Sequence, residues 1–241
     1  MRTALILAFA ALSLAAAPAQ HDLPNAARQG DLATVRALIR QRADVNAAGS
    51  DGSTALHWAA HRSDAAMVEA LLAAKANPVA ANRYGVTPLV LAAENGSSAV
   101  IERLLAAGAD AKATSAGGET VLHTAARSGN PEALRTLIAA GADVDARETA
   151  RGQTPVMWAA AEGNAAAIRT LAEAGADLNA RSNGPSSGVG KVNIYEGRSA
   201  LEIKGATKYL DLRKDRIDSF TPLLFAARSG QIDAVRALAG C

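Results

Sequence analysis

Two histidines four residues apart are the first candidates for chemistry in this chain. His57 and His61 would lie on one face of a helix, a spacing that suits two ligands of a zinc ion. Trp58 follows His57, however, where a zinc protease motif requires glutamate. No serine lies in a nucleophile-elbow pattern, and no acid is paired with a base in a way that indicates catalysis. We therefore predict no metal site, no cofactor and no enzyme activity.

A glycine-rich stretch from Gly184 to Lys191 resembles a phosphate-binding loop in outline. Five residues instead of four separate Gly184 from Gly190, and Val192 stands where serine or threonine would bind magnesium. Nucleotide binding is therefore not predicted. The formal net charge of +2 also gives no electrostatic reason to expect nucleic acid or an anionic membrane as a partner.

A seven-residue sequence motif, the repeat phrase, recurs along the chain. The elements that it forms must position the candidate side chains, including His57. The repeat phrase reads Thr-Ala-Leu-His-Trp-Ala-Ala from Thr54, and variants of it start at Thr87, Thr120, Thr154 and Thr221. The spacings are 33, 33, 34 and 67 residues, so the last interval holds one period and 34 further residues. A fixed period of this size indicates a stacked array of identical units.

Each copy of the phrase predicts two helices. Threonine is a good N-cap, and the proline that often follows it suits the first helical position. The alanine pair is small enough to let neighbouring helices approach closely. A second helix follows, with apolar residues at positions i, i+3 and i+4, as in Val68, Leu71 and Leu72.

Glycine stands just after the second helix in the later copies, where a left-handed cap needs no Cβ. These glycines are Gly108, Gly141 and Gly175. Arg42 and Lys75 occupy the same position in the first two copies, and a left-handed residue other than glycine costs about 1 kcal/mol. We therefore expect the first two repeats to be locally weaker.

With these motifs, the chain resembles the ankyrin repeat family from about Asp22 to Cys241. The resemblance implies an all-α solenoid, in which antiparallel helix pairs are joined by outward β-hairpin loops. It also implies a concave binding surface formed by hairpin tips and first helices, and hydrogen bonds from His57 and His123 between hairpin and helix. The predicted units are a capping repeat at 20–53, four repeats at 54–86, 87–119, 120–153 and 154–186, and an incomplete repeat at 221–241.

The first 19 residues have the features of a secretory signal peptide. Arg2 supplies a positive start, and the apolar run from Ala4 to Ala17 is too short to span a bilayer comfortably. Ala17-Pro18-Ala19 has the small residues of a cleavage site. We predict cleavage after Ala19, no membrane contact afterwards and a periplasmic or secreted location. An uncleaved hydrophobic anchor is the alternative.

Residues 187–220 interrupt the array where a hairpin tip belongs. A long insertion costs little entropy, so it is either a tolerated surface loop or a functional element, such as a contact element or a small-molecule or catalytic site.

The last copy of the repeat ends at Cys241, which falls inside the second helix in the repeat register. Without a closing repeat, we expect either that this half-repeat frays or that the open reading frame is truncated.

Positions that differ between copies are candidates for recognition, because the invariant positions belong to the scaffold. Trp58 and Trp158 lie inside the repeat phrase, so we assign them to packing. We predict a monomeric, non-catalytic module that binds a protein partner; an exported effector acting on a host protein would use the same chemistry. The predicted contact residues are Arg28, Asp51, Ser53, His61, Arg62, Tyr84, Val86, Glu94, Asn95, Glu119, Arg127, Arg151, Gln153, Glu162, Phe220 and Arg228.

Overall fold

The computed structural model describes residues 22–183 and 219–241 of the chain. These ranges hold twelve helices and no strand, and none of the described helices is long and apolar enough to cross a membrane. The predicted signal peptide and most of the predicted insertion lie outside the described residues. In chain order the helices are α1 (Leu23–Gln29), α2 (Leu32–Arg40), α3 (Ala55–His61), α4 (Ala65–Ala73), α5 (Pro88–Glu94), α6 (Ser98–Ala106), α7 (Val121–Ser128), α8 (Pro131–Ala139), α9 (Pro155–Glu162), α10 (Ala165–Glu173), α11 (Pro222–Arg228) and α12 (Ile232–Gly240).

The repeat threonines are the N-caps of α3, α5, α7, α9 and α11, as the sequence predicts. Each has extended backbone angles, and the Thr120 hydroxyl accepts a hydrogen bond from the His123 backbone N–H at 3.4 Å. Pro88, Pro155 and Pro222 occupy the first helical position of their helices. Local side-chain chemistry therefore starts these inner helices.

The helices form two rows. The inner row (α1, α3, α5, α7, α9 and α11) packs side by side, and the outer row (α2, α4, α6, α8, α10 and α12) packs behind it. The alanine pairs at Ala59, Ala92 and Ala125 and their following alanines are fully buried between inner helices. A single continuous hydrophobic core runs between the two rows.

The segment that connects each outer helix to the next inner helix is called a tip. The outgoing and returning parts of a tip, its two arms, are joined by a backbone hydrogen bond of 2.8–3.1 Å. The expected β-hairpin loops are thus present as tight hairpin turns, with isolated bridges in place of strands over the described residues. Neighbouring tips also bond to each other: the Thr149 N–H donates to the Gly117 carbonyl at 2.9 Å. The paired arm residues are Gly49 and Ser53, Asn82 and Val86, Ser115 and Glu119, Glu148 and Gln153, and Ser182 and Phe220.

The long insertion lies between the arms of the fifth tip. The Ser182 N–H donates to the Phe220 carbonyl at 3.0 Å, and the Phe220 N–H donates to the Ser182 hydroxyl at 2.9 Å. In the four earlier tips only three or four residues separate the paired arms. Phe220, which the sequence places at the end of the insertion, therefore lies on the returning arm of an ordinary tip.

Two non-glycine residues have the left-handed backbone that their repeat positions predict. Arg42 has a φ of 60° and Lys75 a φ of 70°, while Gly141 and Gly175 at the equivalent positions have 88°. Ser63 adds a third case, with a φ of 55° in the turn between α3 and α4. The first two repeats thus contain backbone strain at positions where later repeats use glycine.

The last outer helix, α12, extends to the penultimate residue of the given sequence. α12 has nine residues, the same length as α10, and Cys241 stands at its C-cap. Ala234 is fully buried against the core, whereas Ile232 keeps 47% of its surface exposed. Among the described residues, α12 packs against α9, α10 and α11.

Candidate interaction face

Two buried histidines tie the inner helices to the tips. His57 Nδ1 accepts a hydrogen bond from the Thr54 backbone N–H at 3.1 Å, so its Nε2 carries the hydrogen and donates to the Val86 carbonyl at 3.0 Å. His123 repeats this arrangement with Thr120 and the Gln153 carbonyl. The role that the family resemblance implies is confirmed, and each histidine reaches the next tip along the chain.

Burial governs the ionisation of these two side chains. Loss of water lowers the pKa of His57 and of His123, and the carbonyl that each ring contacts opposes this shift only in part. His61 instead points outward, with its ring edge-on to Trp58 at a centroid distance of 6.2 Å. In the ranges that the structure describes, no group of three or more histidine, cysteine, aspartate or glutamate side chains is placed to hold a metal.

Most of the predicted contact residues are exposed at the C-terminal ends of inner helices or on tips. Tyr84 is the most prominent, with 79% of its surface exposed on the second tip. Asp51, Val86, Gln153 and Phe220 are half-buried on the tips. The exposed ones are Arg28, His61, Arg62, Tyr84, Glu94, Asn95, Glu119, Arg127, Arg151, Glu162 and Arg228.

Ser53 does not face outward, in contrast to the expectation. It is only 5% exposed, its hydroxyl donates to the Asp51 carboxylate at 2.9 Å, and it accepts from the Asn82 amide at 3.3 Å. The Ser53 backbone N–H also donates to Asp51, which lowers the pKa of that carboxyl. The main-chain carbonyls of Val86 and Gln153 are likewise occupied, by the two histidines. These residues build the tips instead of presenting free groups.

Side chains at the ends of the inner helices connect one repeat to the next. The Asn95 amide donates to the His61 carbonyl at 2.6 Å, which satisfies a carbonyl that the helix end leaves free. The Arg62 guanidinium lies against Gly30 and 3.5 Å from the Arg28 carbonyl. Part of the predicted contact set therefore also holds the array together.

Glu94 and Arg127 form an ion pair between neighbouring inner helices, 3.8 Å apart and about half-exposed. Such a pair contributes at most about 1 kcal/mol to stability, because water screens it. Its main consequence is to orient the Arg127 guanidinium on the face.

Arginine side chains stack on aromatic rings at three places on this face. Arg28 lies over the Trp58 ring with its Cζ 6.0 Å from the centroid, and Arg127 lies over Trp158 at 5.7 Å. Arg228 lies over Phe220 at 5.7 Å. The repeat phrase alone assigned both tryptophans to packing, yet each is half-exposed under an arginine of the preceding inner helix. An arginine about one repeat length before a tryptophan was the signal that could have revealed these pairs.

Comparison with protein families agrees with this architecture. The family model described as ankyrin repeats (3 copies) matches residues 23–115 and residues 100–182. These overlapping matches cover more than half of the chain and end on the arm at which the insertion begins. No curated protein matches the chain.

Proposed function

Because this chain belongs to the ankyrin repeat family, we propose that it binds a protein partner through its inner face. The inner face is defined as the C-terminal ends of the inner helices together with the tips. Ankyrin repeats are generally protein–protein interaction modules, and the family is typically non-catalytic. The proposal therefore includes no chemical step.

The distribution of aromatic residues carries the proposal. All the tryptophan, tyrosine and phenylalanine side chains of the described ranges lie on inner helices or tips: Trp58, Tyr84, Trp158, Phe220 and Phe225. Tryptophan, tyrosine and arginine are the residues that most often dominate binding energy in protein interfaces. Stacking also restricts the arginines before a partner arrives, which reduces the entropy lost on binding.

The predicted signal peptide supports a periplasmic or secreted place of action, and we include this location in the proposal. Cleavage after Ala19 would leave Gln20 as the first residue of the mature chain. Mass measurement of the purified protein from its source cells, together with fractionation, tests the location. An intact chain in the cytoplasmic fraction would contradict it, and recovery from a host cell would favour the effector alternative.

The binding face is tested by capture of partners on the mature chain. Combining Arg62→Glu, Tyr84→Ala and Arg151→Glu should release the partners that the native chain retains. A matched control on the outer row combines Arg36→Glu, Arg169→Glu and Ile232→Ala, which changes two charges and one exposed apolar side chain. Circular dichroism verifies that both variants are folded. Retention of every partner by the inner-face variant would refute the assignment.

A further inference from the structure

Among the described residues, backbone hydrogen bonds join neighbouring tips at three of the four junctions in the row. The Arg83 N–H of the second tip donates to the Asp51 carbonyl of the first at 3.0 Å. The Thr149 N–H of the fourth tip donates to the third tip at 2.9 Å, and the Asn183 N–H of the fifth tip donates to the fourth at 2.6 Å. Each acceptor lies three residues before the repeat threonine of its tip.

The junction between the second tip (residues 74–87) and the third tip (residues 107–120) lacks this bond. In the repeat register its donor would be the Ala116 N–H and its acceptor the Tyr84 carbonyl. Neither group has a hydrogen-bond partner within the described ranges, and both residues are exposed. One backbone donor and one backbone acceptor therefore stand unpaired on adjacent tips.

The space around Gly85 shows independently that these two tips stand apart. A Cβ built on the equivalent Gly118 would lie 3.0 Å from the backbone nitrogen of Thr149 in the next tip. A Cβ built on Gly85 would meet no atom within 4 Å. The gap beside Tyr84, Gly85 and Ala116 is named the tip slot.

A side-chain link is also absent from the second tip. In the first tip, the Asn46 side-chain oxygen accepts from the Asn77 N–H of the second tip at 2.8 Å. In the fourth tip, Asp145 accepts from the Asp177 N–H of the fifth at 2.9 Å. Val79 holds the same place in the second tip and has no side-chain acceptor to offer. The open junction thus has a cause in the sequence.

Apolar side chains are exposed on the same tip. Tyr84 has 79% of its surface exposed and Val79 has 50%. They are two of the three large apolar side chains that are exposed in the described ranges, and the third, Ile232, is on the outer row. Exposed apolar groups beside unpaired backbone groups are typical of a surface that another polypeptide covers.

We propose that the tip slot binds an extended polypeptide segment of the partner. The inference rests on the proposed function and adds where the partner binds and in which conformation. An extended segment carries an N–H and a carbonyl that can donate to the Tyr84 carbonyl and accept from the Ala116 N–H, which replaces the missing bond between the tips. The Tyr84 ring provides apolar surface for a side chain of the segment.

Charge does not select the occupant of the slot. The second tip carries Lys75 and Arg83, and the third carries Asp110, Lys112 and Glu119. These mixed signs give no reason to expect a line of phosphates, as in a nucleic acid. The recognition that the unpaired groups favour is of a peptide backbone, which supplies both a donor and an acceptor.

The Ala116 N–H can be removed without loss of a bond within the described chain. Ala116 is the second residue of a turn that the Gly118 N–H closes by donating to the Ser115 carbonyl at 2.9 Å, and proline suits this position. Ala116→Pro is therefore the test variant. Ser50→Pro is the matched control, because Ser50 holds the same place in the first tip. Circular dichroism verifies that both variants are folded.

The probe is a display library of random linear peptides, selected on the mature chain. Selected peptides should bind Ala116→Pro at least about three-fold more weakly than the native chain, since one backbone hydrogen bond is lost. Ser50→Pro should change the affinity less than about two-fold. In the native complex, nuclear magnetic resonance should show slower hydrogen exchange at the Ala116 amide than in the free chain.

Val79→Asn tests the slot by closing it. An asparagine at this place can accept from the Asp110 N–H, as Asn46 does from the second tip, and should draw the second and third tips together. Peptide binding should then weaken. Lys112→Asn makes the same change between the third and fourth tips, which Thr149 already joins, and should leave the affinity nearly unchanged. Equal effects of the two variants would contradict the inference.

The inference is also overturned if no peptide is selected, if selected peptides bind Ala116→Pro as well as the native chain, or if the Ala116 amide exchanges equally fast in the complex. Slow exchange of this amide in the free chain would overturn it too, because the chain itself or a second copy would then fill the slot.

Comparison with the inner-face variant separates this inference from the proposed function. A captured partner that is lost from the inner-face variant but retained by Ala116→Pro would refute the slot alone. Peptides that depend on the Ala116 N–H, together with partners that remain on the inner-face variant, would refute the proposed function alone.

Discussion

At the scale of single residues, His57 and His123 show how one side chain joins the start of an inner helix to the next tip along the chain. Each ring accepts a hydrogen bond at Nδ1 from its own helix N-terminus and donates from Nε2 to the next tip. Only the neutral ring makes both bonds, because a protonated Nδ1 has no lone pair to accept one. These residues therefore link stability to pH.

Acidification should weaken the fold through these two histidines. Their pKa lies below the ordinary value of 6.5 when the chain is folded, so the unfolded chain binds more protons below that pH. The stabilisation is complete above pH 6.5 and is lost as the pH falls from there toward the lower folded pKa.

Urea titrations between about pH 8 and about pH 5 measure this dependence. The double variant His57→Gln and His123→Gln should be less stable at neutral pH and should show a smaller change across the window. His61→Gln is the matched control, because His61 is exposed on the same helix as His57. An unchanged slope in the double variant would show that the buried rings do not titrate as described.

Backbone strain at Arg42 and Lys75 should be removable. Arg42→Gly and Lys75→Gly should each raise the free energy of unfolding by about 0.5–1 kcal/mol, since glycine adopts the left-handed backbone without strain. Gly175→Lys tests the reverse at an equivalent position, where a Cβ would meet no neighbouring atom within 4 Å. Denaturant unfolding measures all three, and a loss of stability in either glycine variant would contradict the account.

At the scale of elements, the tips share one backbone pattern but are closed by different side chains. The fourth tip has one more residue between its arms than the preceding tips have. Glu148, only 6% exposed, fills it with a carboxylate that accepts the N–H groups of Ala150, Arg151 and Gln153 at 2.7–3.0 Å. Its longer side chain suits the wider turn.

Replacing Glu148 should open this tip. Glu148→Ala leaves three N–H groups without their acceptor and should cost about 2 kcal/mol of unfolding free energy. Hydrogen exchange at the Arg151 and Gln153 amides should accelerate in the same variant. Glu119→Ala on the preceding tip is the control and should cost little, because the Glu119 side chain is exposed. Equal costs would show that burial of the carboxylate is unimportant.

At the scale of the whole molecule, each repeat contacts only its neighbours, so stability depends on the number of stacked faces. Leu122 is fully buried in the centre of the array, whereas Leu223 holds the equivalent place in α11 and is half-buried. The final repeat has a neighbour on one side within the described residues.

Core truncation should therefore cost more in the centre than at the end. Leu122→Ala should lower the free energy of unfolding by about 2–5 kcal/mol, and Leu223→Ala by less. Native-state hydrogen exchange should show faster exchange in α12 than in α8, since among the described residues α8 packs between two outer helices and α12 against one. Equal protection from Asp233 to Ala239 and in α8 would contradict this gradient and the expected fraying.

The sequence alone determined the repeat period, the threonine caps and the left-handed positions at Arg42 and Lys75. The caps and the left-handed positions depend on residues within about four positions of each other, because capping bonds and backbone angles are local. The left-handed geometry at Arg42 could therefore be anticipated from the register of the later glycines. The secretory signal and the partner remain predictions.

Only the tertiary structure decided which side chains are available on the inner face. Ser53 turns inward to Asn82, and Arg28 and Arg127 cover tryptophans that the repeat phrase assigned to packing. These contacts join residues about 30 positions apart, so they exist only once neighbouring repeats are stacked. The spacing between copies predicts that two residues are neighbours, but the rotamers chosen in a packed array decide whether they touch.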